Sequence, residues 1–326
     1  MNLFNSALGK NITFVHPAYF IISGFSGILN IKYYYVFLCF VYIVTVLGNT
    51  VVMAVIYFDH NLRTPKYIAV FNLAFVDLFG RSTALIPKLL DTLVFDRRYI
   101  VYEACVSHMF FILFFVCIQS WTLFTLAYDR FVAICFPLRY HSFVTNQVIA
   151  AMLLFVWALS LSLLAFMVGA IDRLSFCNSL VVKSIYCDHA PVYLLACNDT
   201  SLNNILAYVV FVIFLCIPLV MIALSYVCIS IALSRIAKGE ERLKAFKTCT
   251  SHLILVAIFF LPILGTNIAA VTSYIHPNSR IINSSMTHII PALLNPIIYS
   301  LKTEEVLISL KNLCKRNRIN NTTRKW

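Results

Sequence analysis

No Asp, Glu, Lys or Arg occurs between Glu103 and Asp129, between Arg139 and Asp172, or between Asp199 and Arg235. Each interval is longer than the roughly 20 residues that a helix needs to cross the hydrocarbon core of a bilayer. Lipid offers no hydrogen bonds, so a single segment placed there satisfies its own backbone only as a helix. Composition agrees: 61% of the 326 residues are hydrophobic and 12% are charged, too apolar for an average soluble domain. A net charge of +12 would suit nucleic acid in a polar chain. In one this apolar it reads as a topology signal, and no nucleic-acid partner is expected.

Charge-poor apolar runs place spans near 33–58, 67–90, 104–128, 148–171, 204–231, 249–273 and 284–301. The second is weakened by Asp77, Arg81 and Lys88, and the seventh is short and carries Pro291 and Pro296. With the N-terminus outside, 16 Lys and Arg fall on the inner side and eight on the outer side, while the acidic residues split six and six. Lys and Arg are retained in the cytoplasm. The expected fold is therefore an all-α integral membrane bundle of seven transmembrane helices. Residues 1–32 form an extracellular tail, 33–301 the transmembrane domain and 302–326 a cytoplasmic tail, in a multi-pass protein of the plasma membrane. Residues 1–32 lack a basic stretch followed by a sustained apolar run, so the first span is expected to act as an uncleaved insertion signal. After span seven, Val306, Leu307, Leu310, Leu313 and Cys314 fall on one helical face beside Lys311, Lys315, Arg316 and Arg318. This pattern predicts a short amphipathic helix lying on the membrane surface, with Cys314 either acylated or free.

Sequons at Asn11 and Asn198 lie on the outer side and are the expected glycosylation sites. Asn283 sits close to a span, and Asn320 and Asn321 fall inside. Eleven cysteines include no CxxC pair, so no metal site is expected, and no cofactor is implied. Cys105 begins span three and Cys177, Cys187 and Cys197 lie in the loop after span four. Four cysteines allow three pairings in an oxidising exterior.

Asp129-Arg130 ends span three within Leu126-Ala127-Tyr128-Asp129-Arg130-Phe131-Val132-Ala133-Ile134-Cys135. From physics alone this is either a latch in which adjacent acid and base neutralise each other, or two snorkelling residues at a helix end. The run resembles the span-three signature of odorant receptors, Met-Ala-Tyr-Asp-Arg-Tyr-Val-Ala-Ile-Cys, from which it differs at Leu126 and Phe131. Five further segments resemble the same family in the same order. They are Gly48-Asn49, Leu62-Arg63-Thr64-Pro65-Lys66-Tyr67, Asn72-Leu73 with Val76-Asp77, Ser225-Tyr226 with Lys244 to His252, and Asn295-Pro296-Ile297-Ile298-Tyr299-Ser300. The resemblance covers roughly residues 48–302, and the loop and first tail are similar to those of fish-type odorant receptors.

The resemblance implies a rhodopsin-like G-protein-coupled receptor that binds a small-molecule odorant and activates a stimulatory olfactory-type heterotrimeric G protein in sensory cilia. It implies that Asp129, Arg130, Tyr226, Pro296 and Tyr299 serve G-protein coupling and activation, with Arg130, Tyr226 and Tyr299 rearranging as span six moves outward. It favours pairing Cys105 with Cys187, which leaves Cys177 with Cys197. It also points to Ile112, Val116, Cys117, Val210, Phe260, Leu264, Asn267 and His288 as ligand-binding candidates, an apolar lining suited to a small organic ligand. Pro218, Pro262 and Pro296 provide bends. The intramembrane polar centre is Asn49, Asp77, Arg81, Gln119 and Asn295. Here the chain departs from the family, which commonly places a glutamate where Gln119 stands, and Arg81 lies four residues from Asp77 as a possible ion-pair partner.

A transporter should show repeated halves or Gly-rich unwound helices, and a membrane enzyme a paired catalytic set within the spans. The sequence shows neither, so a receptor is expected and an enzyme is not.

Overall fold

The computed structural model describes residues 15–25, 31–81, 98–177, 179–235, 239–271, 277–302 and 305–312. Seven long helices run through them. These are α1 (Ile31–Phe58), α2 (Pro65–Val76), α3 (Tyr102–Cys135), α4 (Asn146–Gly169), α5 (Ser201–Arg235), α6 (Glu240–Val271) and α7 (Pro277–Lys302). A further helix, α8, covers 305–312. Six of the seven are long and apolar enough to cross a membrane, and α2 is described only as far as a terminal π turn over Asp77–Arg81. Several helices begin before the apolar runs that announce them. α6, for instance, begins at Glu240 rather than near 249, because charged residues carry a helix past the hydrocarbon where hydropathy no longer registers it.

Local chemistry explains several helix boundaries. Pro65 opens α2 at the position where a missing N–H costs nothing. Thr145 caps α4 by accepting the Val148 N–H at 3.2 Å. In α5 the turn Val212–Cys216 is π-helical, with the Ile217 N–H reaching back to the Val212 carbonyl. Pro218 follows at once. It has no N–H to offer the turn before it and its ring needs room there, so the wider turn absorbs a proline that would otherwise kink the helix. Pro262, Pro291 and Pro296 lie inside α6 and α7.

Helix α3 is the axis of the bundle, packing on α2, α4, α5 and α6. The perimeter is apolar: Leu154, Phe155, Phe166, Leu261 and Phe40 are all exposed. Large exposed side chains on so many helices require a non-aqueous solvent around the bundle. Two glycines permit close approaches. A Cβ on Gly48 would stand 3.0 Å from Pro296 Cγ, and one on Gly80 would stand 2.3 Å from Phe115 Cγ.

The expected all-α bundle is joined by one small sheet. Tyr19–Ile22 (β1), Tyr99–Val101 (β2) and Val181–Val182 (β3) form a small sheet in the order β2-β1-β3, antiparallel on one side of β1 and parallel on the other. Part of the segment read as a tail is thus the central strand of a cap over the end of the bundle that carries the disulfides, and Phe20 is fully buried there.

Replacing Gly80 by Ala should lower the surface level of the protein severalfold, since overpacking of this kind costs about 1–3 kcal/mol. Adding Phe115→Ala should restore much of it. Quantitative surface labelling of the single and double variants checks this, and an undiminished Gly80→Ala level would contradict the packing described.

Candidate functional site

Three polar clusters lie along the bundle. At its centre Asp77 is fully buried, and its two carboxylate oxygens accept from Gln119 Nε2 at 3.1 Å and Asn295 Nδ2 at 2.6 Å. Gln119 therefore acts as a donor, and the carboxyl group receives one amide bond from α3 and one from α7. Asn49 donates to the Thr45 carbonyl at 2.9 Å and across to the Ala292 carbonyl at 3.0 Å, holding α1 to α7. Nearby, Asn72 donates to Thr122 Oγ1 at 2.8 Å and accepts from Trp157 Nε1 at 3.0 Å, joining α2, α3 and α4. The Arg81 side chain lies outside the described residues, as does that of Tyr299, so the pairing of Arg81 with Asp77 stays an expectation.

The second cluster lies at the end of α3 marked by Asp129-Arg130. Asp129 accepts from the Tyr140 hydroxyl at 2.7 Å and stands 3.9 Å from Arg130 Nε. Tyr140 sits in the turn after α3; burial and then the bond to Asp129 push its phenol up, so it remains a donor. Tyr226 of α5 and His252 of α6 stack with ring centroids 5.8 Å apart. His252 Nε2 lies 3.1 Å from the Leu123 carbonyl and Nδ1 lies 2.9 Å from the Tyr226 hydroxyl. A carbonyl only accepts, so Nε2 carries the proton and Nδ1 accepts from Tyr226. One neutral imidazole thus ties α3, α5 and α6 together. The Arg130 charge reaches His252, Tyr226 and Cys249 on one side and Lys66 and Glu305 on the other.

Helix α8 is clamped to the same end. Glu305 accepts from the Tyr67 hydroxyl and pairs with Lys66 at 3.4 Å. The Tyr67 bond, then Lys66, holds the Glu305 carboxyl below its ordinary value against the opposing effect of burial. Ser309 donates to Asp59, and Val306 is buried. Leu313 and Cys314 lie outside the described residues.

The third cluster lies at the end capped by the sheet. Cys105 is bonded to Cys187, and Cys177 to Cys197. The first bond pins the loop after α4 against α3, so that Tyr186 enters the bundle. Its hydroxyl lies 2.6 Å from Ser284 Oγ and 3.0 Å from His288 Nε2, and its ring packs with Ile112, Ile185 and Ile281. Behind the loop, His189 is buried in a single helical turn, His189–Tyr193, and burial lowers its pKa to about 4.

The eight ligand candidates divide among separate clusters. Ile112 and His288 meet at Tyr186. Val116, Phe260 and Leu264 belong to the core around α3 and α6, and Cys117 and Val210 belong to the core between α3, α4 and α5. Asn267 is exposed, with its amide bonded to the Ile263 carbonyl of its own helix. The Asn198 amide is exposed, donating to the Arg173 carbonyl and accepting from the Ser175 N–H, both at 2.9 Å, while Asn11 lies outside the described residues. Sequence reasoning missed Tyr186, Ser284, Glu305, Ser309 and Trp157. His252 closes the Lys244 to His252 segment, which by itself assigns it no work.

Comparisons with known proteins agree in direction. A sequence family described as olfactory receptor matches residues 38–316. The chain is 37% identical to olfactory receptor 51I2 of Homo sapiens over 91% of this chain and 95% of that protein. It is 33% identical to olfactory receptor 1 of Rattus norvegicus over 87% and 90% respectively. In structure it is similar to squid rhodopsin, with a TM-score of 0.72 at 16% identity, covering 88% of this chain and 87% of that one.

Burial of a neutral His189 has a signed consequence. Its folded pKa of about 4 lies below the ordinary 6.5, so between those values the unfolded chain binds more protons and stability falls as pH falls. The full effect is roughly 3 kcal/mol. Asp188 beside it is raised by burial and titrates with the opposite sign, so the measurement is a difference. Thermal melting of purified protein between pH 7 and 4.5 should fall more steeply in wild type than in His189→Gln, and parallel curves would refute the assignment.

Proposed function

We propose, from the premise that the chain belongs to the olfactory receptor family, that it binds a small organic odorant in the disulfide-bearing half of the bundle. It answers by activating a heterotrimeric G protein of the stimulatory olfactory type, and so raises cyclic AMP. As a member of that family it is a multi-pass membrane receptor and not an enzyme. The distribution of Lys and Arg supports an extracellular N-terminus, which puts the sheet, the disulfides and the glycosylation sites Asn11 and Asn198 outside. Asp129, Arg130 and α8 then face the cytoplasm, in sensory cilia.

The observation that carries this reading is the bridge from Tyr226 through His252 to the Leu123 carbonyl. Any outward movement of the cytoplasmic end of α6 takes His252 off that carbonyl and releases Tyr226 in the neighbourhood of Arg130. The resting arrangement thus stores the alternative partner of Arg130 in a hydrogen bond that movement of α6 breaks. A cavity of ≈ 480 Å³ lies where α5 and α6 end, lined among others by Leu233, Arg242, Leu243 and Phe246. Such a wedge supports entry of a partner segment from the cytoplasm. At the other end, Ile112 and His288 around Tyr186 supply apolar walls with few polar groups, as a small organic ligand requires. Val116, Cys117, Val210, Phe260 and Leu264 lie deeper, and ligand contact with them needs the packed core to open.

Expression with an olfactory-type stimulatory G protein and a screen of small organic classes should give cyclic-AMP responses that Arg130→Ala abolishes at equal surface level. His252→Phe should raise ligand-free signalling by roughly tenfold, the equilibrium shift expected for about 1.4 kcal/mol of lost hydrogen bonding. A silent His252→Phe receptor present at the surface would contradict the bridge as a restraint.

A further inference from the structure

A guanidinium taken partly out of water needs a counter-charge or a set of acceptors, and buried arginines are almost always paired. Arg242 of α6 is not. It is half-buried and lines the cavity of ≈ 480 Å³ where α5 and α6 end. Among the described residues it has no hydrogen-bond or ion-pair partner. The other walls divide by chemistry. Leu233, Leu243 and Phe246 are apolar, with Leu243 and Phe246 exposed and Leu233 buried. Ser230 and Ser234 line the cavity from α5. Each gives its proton to its own helix, to the Tyr226 carbonyl at 2.8 Å and the Ile231 carbonyl at 2.7 Å, so each oxygen keeps lone pairs for a donor. A Cβ on Gly239 would meet no atom within 4 Å, so that side is open. The apolar run of α5 ends at Arg235 and that of α6 begins at Ala245, which sets the cavity at the edge of the hydrocarbon. Around it the sequence carries Arg235, Lys238, Arg242, Lys244 and Lys247 against Glu240 and Glu241.

We infer that this cavity is a lipid site, and that its occupant is an inositol phospholipid with its phosphorylated headgroup on Arg242 and an acyl chain along Leu243 and Phe246. The inference goes beyond the odorant and G-protein reading and takes from it only the orientation that turns this end to the cytoplasm. A phosphate offers Arg242 the planar two-oxygen partner that it lacks. Inositol hydroxyls supply donors for the Ser230 and Ser234 oxygens. A headgroup with several phosphates suits the excess of basic residues in this segment better than the single net charge of phosphatidylserine, and polybasic segments just inside a span attract such lipids. An uncharged ligand leaves the guanidinium unpaired, and a free soluble phosphate leaves the apolar wall uncovered. The lipid and a partner segment entering from the cytoplasm use the cleft in turn.

The test uses purified full-length receptor in a neutral detergent, with radiolabelled short-chain phosphatidylinositol bisphosphate as the probe. Saturable binding is expected, weakened roughly tenfold by Arg242→Gln, which removes the bidentate partner of the phosphate. Lys311→Gln, which removes an exposed charge from α8, should leave it unchanged. Short-chain phosphatidylserine should compete roughly tenfold less well, and so should inositol trisphosphate, the headgroup without its chains. Equal competition by the soluble headgroup would show a phosphate site and not a lipid site. Equal competition by phosphatidylserine would show attraction to negative charge alone. Either result overturns the proposal, as does an absence of saturable binding or equal weakening by Arg242→Gln and Lys311→Gln. Should Arg242→Gln fail to fold, wild-type receptor irradiated with the same lipid carrying a photoreactive acyl chain decides the matter. Labelling within residues 230–246 supports the site, and labelling confined elsewhere refutes it. None of these readouts involves an odorant or the G protein, so their failure is distinct from a failure of signalling.

Discussion

Hydrocarbon around the bundle accepts no hydrogen bonds, and every other feature of the fold follows from that constraint. Backbones close their bonds within helices, and apolar side chains gain nothing by leaving lipid for one another. Specific helix pairing therefore falls to close contacts and to a few buried polar groups. Gly48 against Pro296 and Gly80 against Phe115 are the close contacts. Asn49, Asn72, Asp77 and His252 are the polar groups, and each reaches a different helix. Their bonds fix rotation and depth where apolar packing alone would allow sliding.

The two ends of the molecule are governed differently. At the disulfide end, covalent bonds and a sheet replace lipid as the organising influence. Cys187 is carried to α3, β3 is drawn beside β1, and a loop side chain is placed inside the bundle. At the Arg130 end no covalent bond crosses between helices among the described residues. Contacts there are single hydrogen bonds and ion pairs, each worth about 0.5–3 kcal/mol. The bundle is thus held more firmly at the disulfide end than at the Arg130 end.

Much of this was legible in the sequence because hydropathy measures the property that lipid selects. The charge-free intervals between Glu103 and Asp129 and between Asp199 and Arg235 lie within α3 and α5. Helix ends were less legible: Glu240 to Lys244 belong to α6 but lie before its membrane-spanning run. The sheet was not legible, since Tyr19–Ile22 becomes a strand only through partners about 80 and 160 positions away, a pairing that local propensity does not encode. Tyr186 was hidden for a related reason. Helical spacing finds residues on helices, and a loop residue enters a bundle only when a distant cysteine pulls it there. Ser309 was read past because a face rich in Leu and Val drew attention to lipid, while the structure turns that serine towards Asp59.

Burial distinguishes the two charges at the Arg130 end of the bundle. Asp129 is nearly enclosed, with 4% of its side chain exposed, whereas Arg130 keeps 21%. At 3.9 Å the pair is too long for a strong charge-assisted bond, and Asp129 spends one oxygen on Tyr140 instead. Arg130 is therefore weakly committed. Its charge is felt at Glu305, which is itself engaged by Tyr67 and Lys66, and at the Tyr226–His252 pair. A strongly paired guanidinium would cost several kcal/mol to redirect once desolvated. One held by partial partners on several sides passes between them at small cost, and that is the property a residue needs if it is to exchange partners when α6 moves.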